Sequence, residues 1–311
     1  MSKSAPEDRL VVGEASDQRL DRYLAERLGR PRAQIKRLFD AGLITLNGQI
    51  ALPSQLPRCG DIILVREPPP AVPQVPTAAA DGLVVLYEDD DLLVIDKPAG
   101  IAIHAGAGTA QITVADLLAA YDGSLLTHTW PNPSRAGIVH RLDKDTSGVL
   151  VLARTPDMQA ALQALFAARQ LHKEYVALVH GHLQTPAGMI DAPIGRHPTE
   201  RVRRSIVAAG SGRSAQTRYR VLEPLVRASL LSLQPLTGRT HQIRVHLAAI
   251  GHPVLGDTLY AFKRSKLVAE RQMLHARELA FVHPCSQREL RVAAPLPADF
   301  LCLLEALREE A

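Results

Sequence analysis

The sequence predicts an α+β protein in two unequal parts: a small α/β module, then a large domain around a mixed, largely antiparallel sheet. Three observations carry that expectation. Between Gln18 and Val65 two short helical patterns lead into two strand-like runs. From Glu67 to Asp81 the residues Pro68, Pro69, Pro70, Pro73 and Pro76 stand among small neighbours, a density that excludes helix and sheet and reads as a semi-rigid linker. Beyond it, apolar runs of strand length alternate with few helical patterns. The expected divisions are a flexible tail over 1–13, the module over 14–66, the linker over 67–81 and the large domain over 82–311.

In the module, Leu20, Leu24 and Leu28 recur every four residues, the apolar stripe of an amphipathic helix. Gly29-Arg30-Pro31 ends it, and Pro31 suits the first turn of a second helix running Arg32 to Asp40, with Ile35, Leu38 and Phe39 inward. Ala41-Gly42 breaks that helix. Leu43 to Leu46 reads as a strand, Asn47-Gly48 as a tight hairpin turn, and Ile62 to Val65 as another strand.

In the large domain, Leu83 to Tyr87 and Leu92 to Ile95 flank the acidic turn Glu88-Asp89-Asp90-Asp91 and read as a hairpin. Met158, Leu162, Leu165 and Phe166 mark an amphipathic helix. Tyr175 to Val179 and Ser229 to Leu233 read as buried strands, and Gln242 to Ala249 as a helix ended by Gly251.

Composition narrows the functional classes. The chain has 311 residues, 46% hydrophobic and 22% charged, which implies a packed core; only 4% are aromatic, so that core is mainly aliphatic. Cys59, Cys285 and Cys302 are odd in number and form no CxxC pair, which argues against a disulfide framework or thiolate metal site and for a reducing cytoplasm. Met1 to Leu10 lacks an apolar core, so no secretory signal is expected. No apolar run approaches the roughly 18 residues of a membrane helix.

The net charge of +4 matters less than where it collects. Arg27, Arg30, Arg32, Lys36 and Arg37 fall on the two module helices, and Arg32 and Lys36 share a face. Arg196, Arg201, Arg203 and Arg204 fall between Ile194 and Gly212. Each cluster alone is as consistent with a solvated surface as with a phosphate-contacting one; together they favour a polyanionic partner.

Two segments carry candidate chemistry. In Gly137 to Leu152, two apolar runs flank the polar stretch His140-Arg141-Leu142-Asp143-Lys144-Asp145-Thr146-Ser147-Gly148, whose groups are costly to bury unless paired. Charge logic alone leaves Asp143 and Asp145 tied as a reactive carboxylate. In Gly238 to Leu247, Arg244 sits between Ile243 and Val245, and a buried arginine requires a carboxylate. Metal chemistry finds no HExxH, and His241 and His246 are five apart, off the usual same-face spacing. A hydrolase triad finds no GxSxG.

His140 to Gly148 resembles the catalytic motif of the RluA family of pseudouridine synthases. Gly238 to His246 resembles a second motif of that family and Lys173-Glu174-Tyr175 a third, in the same order. The resemblance continues through Asp96 to Gly100, Pro193 to Pro198 and Leu274 to Ala276, spanning roughly Leu83 to Leu304. Gln18 to Val65 is similar to an S4 RNA-binding domain. That pairing, with His104 to Gly108, looks most like the RluD branch, which acts on a hairpin of large-subunit ribosomal RNA.

The resemblance implies isomerisation of uridine to pseudouridine with no cofactor and no metal. It assigns the essential role to Asp143, attacking C1′ of the ribose or removing a sugar proton to give a glycal. Arg244 is implied as its salt-bridge partner, Tyr175 as the ring stacking on the base, and Arg141 as the residue filling the space of a flipped uridine. The two basic clusters become RNA contacts. The implied partner is large-subunit ribosomal RNA or an assembling ribosomal particle, with no membrane and a monomeric, cytoplasmic enzyme. The alternatives are a non-catalytic RNA-binding or ribosome-assembly protein, and a synthase acting on transfer RNA.

Overall fold

The computed structural model describes residues 7–13, 16–30, 32–66, 83–104, 112–123, 127–200, 202–262 and 267–309. The linker expected over 67–81, the 105–108 stretch and Arg201 lie outside the described residues. The chain divides into two compact units, 1–74 and 75–311.

The first unit contains β1 (Glu7–Val11), α1 (Leu20–Arg27), α2 (Arg32–Asp40), β2 (Ile44–Leu46), β3 (Gln49–Ile50) and β4 (Ile62–Arg66), with the strands ordered β1-β4-β2-β3. Leu20, Leu24, Ile35, Leu38, Phe39, Ile44, Ile63 and Val65 pack as one core, as the helical stripes require. Asn47 and Gly48 both take positive φ, 52° and 81°, the hairpin geometry that this dipeptide favours. Asn47 also accepts the Ile62 N–H at 2.9 Å and donates to Asp61 at 2.8 Å, tying the turn to β4. One expectation is corrected. The tail assigned to 1–13 contains β1, antiparallel to β4 from Glu7↔Arg66 to Val11↔Ile62. Its mixed sequence lacks alternation, and β4 supplies the ladder that makes it a strand.

The second unit is built on a nine-stranded sheet. Its strands are β5 (Val84–Glu88), β6 (Leu92–Lys97), β7 (Ser147–Ala153), β8 (Leu171–His180), β9 (Ala187–Asp191), β12 (Gln216–Leu225), β13 (Ala228–Pro235), β14 (Leu274–Val282) and β15 (Glu289–Ala293). Their order is β5-β6-β7-β14-β8-β13-β12-β9, with β15 on β14. The named pairings are antiparallel except β7 with β14, which is parallel. A separate hairpin pairs β10 (Ile194–Arg196) with β11 (Arg204–Ile206). The helices are α3 (Val114–Tyr121), α4 (Pro156–Ala168), α5 (Gln242–Ala249) and α6 (Ala298–Glu309).

The polar stretch reaches the sheet through β7, which is buried along its whole length. The apolar run before it, Gly137 to Val139, makes one bridge, Ile138↔Leu152, and no strand. Gly148 follows the polar stretch at φ 110°; a Cβ there would collide with the Ala276 backbone of β14. Glycine therefore permits the close β7–β14 approach. Helix α4 begins at Thr155, whose hydroxyl accepts the Met158 N–H, with Pro156 in the first turn. It ends at Arg169 in the left-handed conformation. Helix α3, not anticipated from the sequence, opens on a reciprocal capping box between Thr113 and Asp116.

Candidate active site

Asp143 stands in the loop before β7, and several bonds converge on that loop's backbone. Lys97, buried at the end of β6, donates to Lys144 O at 3.0 Å, Pro98 O at 2.6 Å and Ile101 O at 2.9 Å. Burial pushes the Lys97 ammonium down to about 8, yet three carbonyls around three N–H donors match the charged form. Arg271 donates to Asp145 O at 3.1 Å, and Gln272 to Thr146 Oγ1 at 2.8 Å. The Thr146 N–H closes a turn onto Asp143 O at 3.1 Å.

Arg244 meets this loop from α5. Its Nη1 donates to Asp143 Oδ2 at 3.0 Å. Its Nε and Nη2 donate to Asp257 Oδ2 and Oδ1 at 2.6 and 2.9 Å. The side chain of Asp257 is fully buried and that of Arg244 is 7% exposed. Burial opposes the guanidinium charge, but the two carboxylates outweigh it and hold Arg244 above its ordinary pKa. The arginine expected to pair with one aspartate thus bridges two. Asp257 itself accepts the N–H groups of Leu259 and Tyr260 at 2.9 and 3.1 Å, so its position is set by backbone.

A cavity of about 670 Å³ opens beside this bridge, lined among others by Arg141, Asp143, Phe166, Tyr175, His241 and Arg244. Asp145 does not line it, so geometry separates the two carboxylates that charge logic left tied. Arg244 Nη1 bonds Oδ2 of Asp143, and His241 Nε2 lies 4.0 Å from Oδ1. Tyr175, on β8, is half-buried, and burial followed by the Asp143 charge raises its pKa, so the hydroxyl stays protonated. Arg141 is exposed at the rim.

The histidines divide by environment. His140 stacks on Phe166 at 4.5 Å, and its Nε2 accepts the Val151 N–H at 3.0 Å. Burial pushes it down to about 3, so it is a neutral structural group. His246 bonds Thr217 and Ala192 O, whereas His241 bonds the Tyr260 hydroxyl.

The basic clusters are less uniform than the sequence implies. Arg27 and Lys36 are exposed. Arg30 pairs with Asp8 at 3.3 Å, and Arg32 with Asp21 at 2.7 Å, so both have carboxylates within their own unit. The Arg37 side chain lies outside the described residues. On the β10–β11 hairpin, Arg196 is exposed opposite Arg204, while Arg203 pairs with Glu200 at 2.8 Å and lies over the Tyr260 ring at 5.4 Å. Sequence reasoning missed Asp257 and Tyr260. The available signal was Gly256-Asp257 thirteen residues after an arginine that needed a carboxylate.

Comparisons with known proteins show which family the chain resembles. The family model described as RNA pseudouridylate synthase matches residues 91–249, and the S4 domain model matches 18–63. The chain is 42% identical to the ribosomal large subunit pseudouridine synthase D of Xanthomonas campestris pv. campestris, over 97% of this chain and 92% of that one. It is also 42% identical to an RNA pseudouridine synthase of Mycobacterium tuberculosis, over 94% and 95% of the two chains. Among solved structures it resembles human RNA pseudouridylate synthase domain containing 4, with a TM-score of 0.59 and 30% identity over 74% of this chain and 95% of that one.

Proposed function

The chain belongs to the RNA pseudouridylate synthase family, and from that premise we propose that it isomerises uridines of large-subunit ribosomal RNA with Asp143 as the reactive carboxylate. The observation that carries this reading is the held Asp143: Arg244 fixes one carboxylate oxygen and leaves the other beside the cavity that Tyr175 lines.

The reaction breaks the bond between uracil N1 and ribose C1′, rotates the base and joins C5 to C1′. The C5 proton leaves and N1 ends protonated, so atoms balance without an external group. Asp143 Oδ1 serves either as nucleophile at C1′ or as base toward a sugar proton. Arg244 orients the carboxylate through its bond to Oδ2. Tyr175 supplies a stacking face for the base and a hydroxyl that keeps its proton. Arg141 at the rim takes the space that the flipped nucleotide vacates.

The large-subunit assignment follows the relatives named ribosomal large subunit pseudouridine synthase D. The S4 unit supports an RNA partner, with Arg27, Lys36 and Arg196 as phosphate contacts. We read the enzyme as a cytoplasmic monomer that meets its substrate as free RNA or as an assembling particle. No helix among the described residues is long and apolar enough to cross a membrane.

Asp143→Asn is expected to fold and bind RNA but to release no tritium from C5-tritiated uridine RNA, whereas Asp145→Asn keeps measurable turnover. Full activity in Asp143→Asn sinks the assignment. Deleting the gene and mapping pseudouridine in cellular RNA tests the substrate: sites lost from transfer RNA would leave the chemistry standing and overturn the ribosomal reading.

A further inference from the structure

Tyr260 lies outside every motif read from the sequence, yet it touches Arg244, Asp257 and His241. Its ring lies 5.1 Å from the Arg244 guanidinium on one contact and 5.4 Å from that of Arg203 on another. Its N–H is bonded to Asp257, the second carboxylate of the Arg244 bridge. Its hydroxyl accepts the Arg204 N–H at 2.8 Å and lies 2.9 Å from His241 Nδ1.

We propose that Tyr260 is a positioning residue for the isomerisation, its hydroxyl turning His241 so that the imidazole Nε2–H faces the free oxygen of Asp143. The proposal rests on the reading of Asp143 as the reactive carboxylate.

Two independent considerations set the protons. A tyrosine hydroxyl has one proton to donate. With the Arg204 N–H already directed at the oxygen, donation of that proton to His241 Nδ1 satisfies both groups. A neutral imidazole accepting at Nδ1 carries its own proton on Nε2. On the other side of the ring, Nε2 stands 4.0 Å from Asp143 Oδ1. A lone pair there would face a carboxylate; an N–H is attracted to it. Burial lowers the His241 pKa, consistent with a neutral ring. The backbone is also committed: His241 adopts φ 56°, a left-handed conformation unusual for a side chain of this size, immediately before α5.

The consequence is a division of labour on one carboxylate. Arg244 holds Oδ2 by a direct bond, and His241 presents a donor next to Oδ1 without engaging it at 4.0 Å. That donor is available to Oδ1, or to an oxygen of the nucleotide seated against it, only while Tyr260 holds the ring. Since the Tyr260 oxygen is in turn fixed by the backbone of the hairpin carrying Arg196, Arg203 and Arg204, the donor's aim depends on that hairpin's seating.

Tyr260→Phe keeps the ring over both arginines and removes only the hydroxyl. Ribosomal RNA from cells lacking the gene serves as substrate for single-turnover pseudouridine formation, with RNA affinity and thermal melting measured alongside. The expected result is a rate lower by roughly tenfold, the size of one lost positional hydrogen bond, with RNA affinity close to wild type and melting lowered only slightly by the lost Arg204 N–H bond. In a His241→Ala background the same substitution should cause no further loss, because the hydroxyl acts through the imidazole. A wild-type rate in Tyr260→Phe, a change confined to affinity, or an equal loss in both backgrounds overturns the proposal. Asp143→Asn in the same assay keeps the outcomes apart. If it retains turnover, the assignment of the reactive carboxylate fails; if it is inactive while Tyr260→Phe is unaffected, only the role of Tyr260 falls.

Discussion

Arg32 and Arg244 both hold an aspartate at hydrogen-bond distance, 2.7 Å to Asp21 in one case and 2.6 Å to Asp257 in the other. The difference is water. The Arg32 side chain is 64% exposed and Asp21 13%, whereas Arg244 is 7% and Asp257 0% exposed. A pair whose cation stays in water trades one solvated arrangement for another and contributes little. A buried pair has already lost its hydration, so each partner depends on the other for charge compensation. Proximity therefore says little about what an ion pair does. In the small unit, cations on a wet surface offer long-range, salt-screened attraction. In the large unit, the same side-chain chemistry offers geometry, holding Asp143 in one orientation beside the cavity.

The largest expected effect follows from breaking the dry pair. Asp257→Ala leaves Arg244 buried with Asp143 as its remaining carboxylate partner, and should cost about 3–5 kcal/mol of folding stability. It should also lower turnover by roughly a hundredfold, because Arg244 no longer has a bidentate anchor to aim it at Asp143. Denaturant melts and single-turnover rates check the two arms. A stability loss below about 1 kcal/mol would place Asp257 in the same class as Asp21 and erase the contrast.

How much of this contrast was legible beforehand follows from distance along the chain. The helices of the small unit were readable because Leu20 and Leu24, one turn apart, both point into one core. Asn47-Gly48 was readable because a two-residue turn encodes its own backbone. Strand β1 was not, since Glu7-Asp8-Arg9 becomes a strand through pairing with Arg66-Val65-Leu64. Within the site, Asp143 and Arg244 were named from their motifs, and they meet although 101 residues apart. Their anchor Asp257 was missed because its one signal, a Gly-Asp pair thirteen residues after Arg244, carries no hydrophobic pattern that marks it as buried. It is a loop aspartate whose burial arises only when α5 and the following turn fold against each other. The parallel β7–β14 pairing, Ser147 to His275, was equally invisible, because no short-range signal joins residues that far apart.

A smaller effect separates burial with a partner from burial without charge. His140 is held neutral, its pKa pushed down to about 3 by burial and then by the nearby Lys173 charge. Its ordinary value in the unfolded chain is about 6.5. A depressed folded value means that the unfolded state binds the proton first as pH falls. The stability tied to neutral His140 is therefore fully present above about pH 6.5. It declines by about 1.4 kcal/mol per pH unit down to about pH 3. At pH 5 the loss from this group is about 2 kcal/mol. Wild type should lose stability more steeply over that window than His140→Gln, which has nothing to protonate. Identical slopes in parallel urea titrations at pH 7 and pH 5 would show that the ring is not desolvated as its stack on Phe166 indicates.

The smallest effect tests the wet side of the comparison. Arg27 and Lys36 are exposed on α1 and α2 and, among the described residues, form no ion pair with a carboxylate. If they contact phosphates, replacing both with alanine removes two counterion-releasing contacts. The slope of log affinity against log salt should then fall in magnitude by roughly 1.4 to 1.8. Affinity should weaken most at low salt and converge with wild type as salt rises, because the missing attraction is one that salt already screens. The rate at saturating RNA should not change, since neither residue belongs to the unit containing Asp143. Filter binding across a salt series reads the slope, and saturating single-turnover assays read the rate. A uniform loss of affinity at every salt concentration would mean that these side chains act through packing or a specific contact, and the separation between attraction in one unit and geometry in the other would no longer hold.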